Sequence, residues 1–190
     1  MEKENLKARE MDSILNKKSG ILGVTEKFTD RRDVEKAAGD GNERARLMIE
    51  IEAYRLKKYI GAYAAAVGGI DAVVFTAGGG EKGAITRSLA LDGLQFLGVE
   101  YDAAKNDLSR TRNAETELSA KNSRVRVFVV PTDEERVFVE DVAGILNGTY
   151  DVHTKFSYTF QKPDYRNTLR DRAFEKECAQ KPGLADIAAN

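Results

Sequence analysis

The sequence predicts an α/β fold, because apolar runs typical of buried strands alternate with segments of helical periodicity. The two strand-like runs are residues 70–75 and 125–130, and helical patterns precede, separate and follow them. With 190 residues, of which 42% are hydrophobic and 32% charged, the chain can bury one full core, or one core plus an appendage.

The first third of the sequence is predicted to be mainly helical. We predict a helix over 9–18, an apolar loop or short strand over 21–24, a short helix over 32–38 and a long helix over 42–67. Ser19-Gly20 should end the first helix and Gly68-Gly69 the long one, since glycine suits the left-handed backbone that follows many helices. Thr29 or Asp30 can cap the short helix, because either side-chain oxygen accepts from free backbone N–H groups.

The middle of the sequence alternates strands with helices. We predict strands over 70–75, 99–101 and 125–130, helices over 83–96 and 133–147, and a polar loop without sustained periodicity over 102–123. The last of these helices should turn Phe138, Val142 and Ile145 towards the core.

Beyond Gly148 the pattern changes, so we treat residues 1–148 as one domain and 149–190 as an appendage. The appendage is predicted to hold a half-exposed strand with alternating Phe156, Tyr158 and Phe160, a weak helix over 165–180, and a frayed end after Pro182-Gly183. The aromatic content of this segment argues against a disordered tail.

The composition excludes several classes of function. The net charge is −1 with acids and bases interspersed, so there is no electrostatic footprint for nucleic acid or an anionic membrane. Cys178 is the single cysteine, which rules out an intrachain disulfide and a cysteine zinc cluster and favours a reducing cytoplasm. The start is too polar for a signal peptide, and no apolar run approaches the length of a membrane span.

A glycine-rich segment directly after a predicted strand is the strongest local signal. It reads Phe75-Thr-Ala-Gly-Gly-Gly-Glu-Lys82. Glycine backbone lets a phosphate-bearing ligand approach closely, and free N–H groups at the start of a following helix can face the charge. The alternative is a tight strand-to-helix turn without a ligand, which is the more common meaning of three glycines taken alone.

Five segments, in their order and spacing, carry a family resemblance. They are Leu15-Asn-Lys-Lys-Ser-Gly-Ile-Leu-Gly23, Asp30-Arg-Arg-Asp-Val-Glu-Lys-Ala37, Asn42-Glu-Arg-Ala45 with Ala53-Tyr-Arg-Leu-Lys-Lys-Tyr-Ile-Gly-Ala-Tyr63, Phe75-Thr-Ala-Gly78, and Val129-Val-Pro-Thr-Asp-Glu-Glu135. Together they resemble the C-terminal domain of acetate kinases, in the acetokinase family, over residues 11–147.

The resemblance implies half of a two-domain kinase of the actin-like ATPase (ribonuclease H-like) type, with residues 1–148 as its C-terminal nucleotide-binding domain. In the family the active site lies in the cleft between two domains. The N-terminal domain supplies the catalytic histidine, phosphate-contacting arginines and the acetate pocket, and that domain is expected to be missing here. His153 is the single histidine, lies in the appendage and matches no family position. We therefore assign no catalytic residue to this chain.

The resemblance also implies a nucleotide site. Gly78, Gly79, Gly80, Glu81 and Lys82 match the family's Gly-Ile-Gly-Glu-Asn nucleotide loop, with two departures. Gly79 removes an apolar side chain that can pack on adenine, and Lys82 replaces an amide but can neutralise a phosphate.

Asp30, Arg31 and Arg32 match the family's Asp-x-Arg at the adenosine. A carboxylate can hold a ribose hydroxyl, and a guanidinium can stack on the base or reach phosphate. The alternative is that Asp30 caps a helix and solvated arginines follow it, and both roles can coexist.

Glu134 matches the family's magnesium-linked glutamate, so the resemblance implies Mg²⁺ (or Mn²⁺) near it, through a water. The alternative is that Asp133, Glu134 and Glu135 complement the dipole of the helix that they begin. Asp133 departs from the family's usual asparagine.

The implied activity is reversible phosphoryl transfer from ATP to acetate, giving ADP and acetyl phosphate. The alternatives are a non-catalytic nucleotide-binding or dimerisation module and a kinase for propionate or another short-chain carboxylate. The resemblance further implies a homodimer. The composition, as above, predicts a cytoplasmic protein with no nucleic-acid or membrane partner. The stripe Tyr54, Tyr59 and Tyr63 is expected to serve the core and the subunit interface.

Overall fold

The computed structural model describes residues 3–189, so Met1, Glu2 and Asn190, the ends of the two predicted domains, lie outside the described residues. The predicted α/β class is confirmed. The chain forms two compact units: one holds residues up to Ile70 together with Ile85–Leu97, and the other holds Asp71–Ala84 and the residues from Gly98 onwards.

The first unit is helical. Its elements are α1 (Ala8–Ser13), a π-helical turn (Ile14–Lys18), α2 (Gly20–Thr25), α3 (Arg31–Gly39), α4 (Glu43–Val67), all but the first residue of α6 (Ala84–Leu91), and a 3-10 turn (Gln95–Leu97). The long helix begins where the Asn42 side chain accepts from the Ala45 backbone N–H at 2.9 Å, and it ends at Gly68 with φ of +80°. Its buried residues Ala45 and Ile49 pack with Val34 of α3 to form a small core.

The second unit is built on a three-stranded sheet. Its elements are β1 (Ala72–Phe75), α5 (Ala77–Lys82), α7 (Ala103–Leu108), β2 (Thr116–Glu117), β3 (Arg126–Val129), α8 (Glu134–Leu146), a 3-10 turn (Thr159–Gln161), α9 (Thr168–Gln180) and a 3-10 turn (Ala185–Ile187). The strand order is β1-β3-β2, with β1 parallel and β2 antiparallel to β3. Alternate residues of β1 and β3 are buried, so the two predicted strands share one core face.

Several sequence predictions are wrong in type. Residues 21–24 lie in α2, where neither a loop nor a strand forms. The polar segment 102–123 contains α7, capped by Asp102, and β2. The short strand predicted over 99–101 is reduced to two isolated bridges, from Val99 and Tyr101.

The predicted inward face of α8 is also wrong. Phe138 is 69% exposed and Ile145 is 60% exposed, while the one buried residue of this helix is Gly144. Periodicity placed the apolar residues on one stripe correctly, but the stripe faces outwards in the second unit.

Residues 149–189 belong to the second unit. The alternating aromatic segment is not a strand: Tyr158 packs edge-on against Phe156 and stacks on Phe160, with ring centroids 4.9 Å apart in both pairs. The end does not fray, because Leu184 is fully buried and Ala188 bridges to Thr116. The weak helix is present as α9.

Within residues 3–189 the structure offers no helix with both the length and the apolar character that crossing a bilayer demands.

Candidate functional site

The glycine segment forms a helix directly after β1. Thr76 is extended, Ala77 has the left-handed φ of +59°, and α5 then contains all three glycines. A Cβ on Gly80 would lie 3.2 Å from the carbonyl carbon of Phe75, whereas one on Gly78 would meet nothing within 4 Å. Gly80 is therefore required for close packing against the strand end, and Gly78 faces open space. Lys82 is exposed at the last position of α5.

Within α5, Glu81 has a fully buried side chain. Its Oε1 accepts from the backbone N–H of Thr132 at 2.9 Å and from the Thr132 hydroxyl at 3.1 Å. Its Oε2 accepts from Nε of Arg112 at 2.8 Å. A buried carboxylate is tolerated when it is paired and hydrogen-bonded in this way. Glu81 thereby joins α5 to the connection between β3 and α8.

Glu134 stands on that same connection, as the first residue of α8, and is exposed. The Thr132 hydroxyl lies 3.4 Å from its Oε1. The preceding Asp133 makes no capping hydrogen bond and instead accepts from the Asn167 side chain at 3.3 Å. Glu134 and Glu135 lie in the first turn, where negative charge also complements the helix dipole.

The residues around Glu134 fit a magnesium ion that keeps most of its own ligands. Among residues 3–189, no group of three or more His, Cys, Asp or Glu side chains is arranged to hold a metal. Magnesium does not require such a cage, because it is commonly bound by one or two carboxylates, with waters and phosphate oxygens completing the octahedron. One exposed carboxylate beside a hydroxyl meets that requirement.

Asp30 caps α3, as one of the sequence alternatives predicted. Its Oδ1 accepts from the backbone N–H of Arg32 at 2.8 Å, and its Oδ2 accepts from the Arg32 guanidinium at 2.6 Å. The side-chain and backbone hydrogen bonds from Arg32 lower the pKa of Asp30 to about 2. Arg32 itself is exposed, so its outer face remains open to solvent.

Arg31 is held on several sides within the first unit. Its guanidinium donates to Glu52 at 2.9 Å and also contacts Glu35 and Thr86. Burial acts to lower the pKa of Arg31, but the hydrogen bonds and charges of Glu52 and Glu35 outweigh it and raise the pKa. Arg31 is thus paired with two carboxylates, whereas Arg32 is paired with one, that of Asp30.

The predicted site residues therefore fall into two groups. Gly78 to Lys82 and Glu134 lie in the second unit, where Thr132 contacts both Glu81 and Glu134. Asp30, Arg31 and Arg32 lie in the first unit. Sequence reasoning missed Thr132, which lies inside a quoted segment, and Arg112, which lies in a polar region without periodicity.

His153 and Cys178, which have no predicted role, lie in the tail, the predicted appendage that begins at residue 149. His153 Nδ1 is 2.5 Å from the Tyr158 hydroxyl, and that hydroxyl donates to Asp141 of α8 at 2.7 Å. Cys178 is a half-buried free thiol in α9.

Comparison with known proteins identifies the class. The fold resembles the crystal structures of Porphyromonas gingivalis acetate kinase (TM-score 0.68, 44% identity, 77% of this chain and 36% of that one) and of a propionate kinase from Francisella tularensis subsp. tularensis (TM-score 0.62, 35% identity, 70% and 33%). These likenesses agree with the predicted half of an actin-like kinase.

The sequence comparison then names the family. Residues 1–140 match the model of the acetokinase family, and the chain belongs to that family. It is 56% identical over 168 residues to an acetate kinase of Trichlorobacter lovleyi, covering 88% of this chain and 40% of the relative. It is 49% identical over 188 residues to an acetate kinase of Treponema pallidum, covering 98% of this chain and 42% of the relative. The chain thus spans about two fifths of the length of these relatives.

Proposed function

We propose that this chain is the nucleotide-binding part of an acetate kinase, which transfers the γ-phosphoryl group of ATP reversibly to acetate and yields ADP and acetyl phosphate. Membership of the acetokinase family is the observation that carries the proposal. The likeness to both acetate and propionate kinases leaves propionate or another short-chain carboxylate as the alternative acceptor.

In this proposal the second unit binds the phosphates. Gly78 and Gly79 leave backbone accessible after β1, and the exposed Lys82 adds a positive charge close by along the chain. Phosphoryl transfer requires little covalent chemistry from the protein, so positioning and charge neutralisation supply most of the rate. These residues would place the nucleotide, and the acetate side of the reaction would come from the remaining part of a family member.

Glu134 would hold a divalent cation, Mg²⁺ or Mn²⁺, which when bound neutralises charge on phosphate oxygens. The Thr132 hydroxyl lies 3.4 Å from Glu134 and helps to orient it. In the first unit, Arg32 would serve the adenosine, because Arg31 is already shared between Glu35 and Glu52.

The proposal includes a homodimer in the cytoplasm. Tyr54, Tyr59 and Tyr63 of α4 are between 53% and 66% exposed, and Tyr59 stacks on Tyr63 with ring centroids 6.1 Å apart. Exposed aromatic surface of this kind is typical of interfaces. Sedimentation at micromolar concentration should report a dimer, and a clean monomer would contradict this part of the proposal.

The binding experiment is a calorimetric titration of the chain with Mg-ADP. We expect weak binding without turnover, because the chain carries the nucleotide side of the reaction only. Absence of binding would reject the nucleotide site and favour a dimerisation module. Robust formation of acetyl phosphate by the isolated chain would contradict the proposed division of roles.

The activity experiment combines the chain with a polypeptide carrying the remaining part of the Trichlorobacter lovleyi enzyme. Acetyl phosphate formation should appear, with acetate used in preference to propionate. In this reconstituted enzyme, Glu134→Ala should lower the rate, because it removes roughly several kcal/mol of transition-state stabilisation. Glu135→Ala is the matched control, since it removes a neighbouring first-turn carboxylate and should leave the magnesium dependence unchanged.

A further inference from the structure

We propose that Glu81 is a positioning residue that couples nucleotide binding to cation binding, by linking the glycine helix α5 to Glu134 through Thr132. The inference rests on the proposed function and adds a residue pair to it. It predicts that the two ligands bind the second unit cooperatively because of this link, and that breaking the link uncouples them.

Glu81 lies within the glycine helix α5. The two residues before it are glycines of the proposed phosphate loop, and the next is the exposed Lys82. Its own side chain is fully buried, with no surface left for a ligand. Glu81 can therefore influence a nucleotide only through the backbone of α5 and through the groups that its carboxylate holds.

The Glu81 carboxylate binds two other residues, Thr132 and Arg112. Oε1 accepts both the backbone N–H and the hydroxyl of Thr132, at 2.9 and 3.1 Å, and Oε2 accepts from Arg112. Thr132 thus has its backbone and its side chain tied to one carboxylate oxygen. Because Thr132 lies two residues before Glu134, this tie sets where α8 begins relative to α5.

Glu81 and Glu134 share one hydroxyl proton, that of Thr132. The Thr132 hydroxyl is 3.1 Å from Glu81 and 3.4 Å from Glu134, but it carries a single hydrogen and donates fully to one of them at a time. When Glu134 binds a cation, the positive charge satisfies its carboxylate in place of the Thr132 hydroxyl. The hydroxyl then donates to Glu81. The bond that fixes α5 is then strengthened, and by linkage a nucleotide that requires a fixed α5 favours the cation-bound state of Glu134.

The experiment measures ADP affinity of the whole chain by calorimetry, once with free magnesium held in excess and once with chelator. The ratio of the two dissociation constants is the coupling factor, and it includes the metal carried by ADP itself, which is the same for every variant. Thr132→Val removes the hydroxyl but keeps the backbone N–H, and should reduce the factor at least about fivefold. Glu81→Met removes both acceptor oxygens and should do the same, whereas Thr132→Ser restores the donor and should rescue the factor.

The control is Glu117→Gln, which breaks a Glu–Arg pair with Arg126 at 2.7 Å elsewhere in the same unit and should keep the wild-type factor. If Glu81→Met does not fold, the comparison of Thr132→Val with Thr132→Ser decides. Variants that lower the melting temperature but keep the wild-type factor would show that Glu81 is structural only and overturn the inference. Wild-type protein that binds no ADP in either condition would instead reject the proposed function, and the inference with it.

Discussion

The carbonyl carbon of Phe75 lies 3.2 Å from the point where a Cβ on Gly80 would stand, and the Phe75 Cβ lies 3.3 Å from it. The glycine helix α5 therefore packs so closely against the end of β1 that a side chain at position 80 has no room. The contact is made with backbone of a sheet strand, which has little freedom to move aside.

Gly80→Ala should destabilise the protein by about 1–3 kcal/mol, the usual range for overpacking a filled site. Gly78→Ala is the matched control in the same helix, because its Cβ would meet nothing within 4 Å and alanine favours a helix over glycine. Thermal unfolding followed by circular dichroism measures both. Equal melting temperatures for the two variants would show that β1 and α5 are not tightly packed in solution.

The sequence predicts those elements whose secondary structure is set by neighbouring residues, and it fails where distant contacts decide. Helix α4 was predictable because 25 residues carry one period between the cap Asn42 and the terminating Gly68. Strands β1 and β3 were predictable as short apolar runs. In contrast, α7 lies in a polar segment whose structure depends on distant partners, such as Lys105 donating to the Ser119 carbonyl at 3.0 Å.

In the tail, the local pattern predicts side-chain contacts but not the secondary structure. Alternation of Phe156, Tyr158 and Phe160 correctly placed three rings together, but stacking and the Tyr158–Asp141 hydrogen bond hold them without a strand. At the candidate site, the sequence predicts Glu81 as a nucleotide-binding residue and Glu134 as a metal ligand, and both roles stay predictions. The burial of Glu81 could not be predicted, because it depends on Arg112, which comes from a segment without periodicity.

Tyr158 should titrate well above the ordinary range of a tyrosine. Burial, followed by the hydrogen bond to Asp141, raises its pKa from 10.0 to about 12. A raised pKa means that the folded protein favours the neutral phenol. The contribution to stability is thus present below pH 10 and lost as pH rises from 10 towards 12.

Phenolate absorbance during an alkaline titration tests this, since Tyr158 should give a late step near pH 12. Tyr158→Phe should remove the late step and leave the earlier ones unchanged. Tyr54→Phe is the control, because Tyr54 is exposed and its loss should leave the late step in place. A late step that persists in Tyr158→Phe would contradict the assignment.

Asp30 should make acid unfolding depend on its ion pair with Arg32. Its folded-state pKa is lowered from 3.8 to about 2, so the contribution to stability is complete above pH 3.8 and is lost as pH falls through 2. Asp30→Asn keeps a good helix cap but cannot titrate. The difference in unfolding free energy between wild type and Asp30→Asn should be constant above about pH 5 and shrink below pH 3.8. A difference that does not change with pH would mean that the pair does not form in solution.

Gly144 is where the tail docks on α8. A Cβ there would lie 2.9 Å from Cε2 of Phe156 and 3.2 Å from the Cβ of Tyr150, and the Gly144 carbonyl accepts from the backbone N–H of Tyr150 at 3.1 Å. Phe156 in turn packs edge-on against Tyr158, so a displacement of its ring reaches the Tyr158–Asp141 hydrogen bond.

Gly144→Ala should therefore loosen the tail while leaving most of the second unit intact. A loss of about 1 kcal/mol in docking raises the open population about fivefold, and limited proteolysis under fast opening follows that population. Cleavage between residues 149 and 161 should accelerate by that factor. Gly61→Ala in α4 is the control, because its Cβ would meet nothing within 4 Å and helix propensity favours the change. Equal cleavage rates in wild type and Gly144→Ala, or rapid cleavage across the wild-type tail, would show that this segment is not docked on α8.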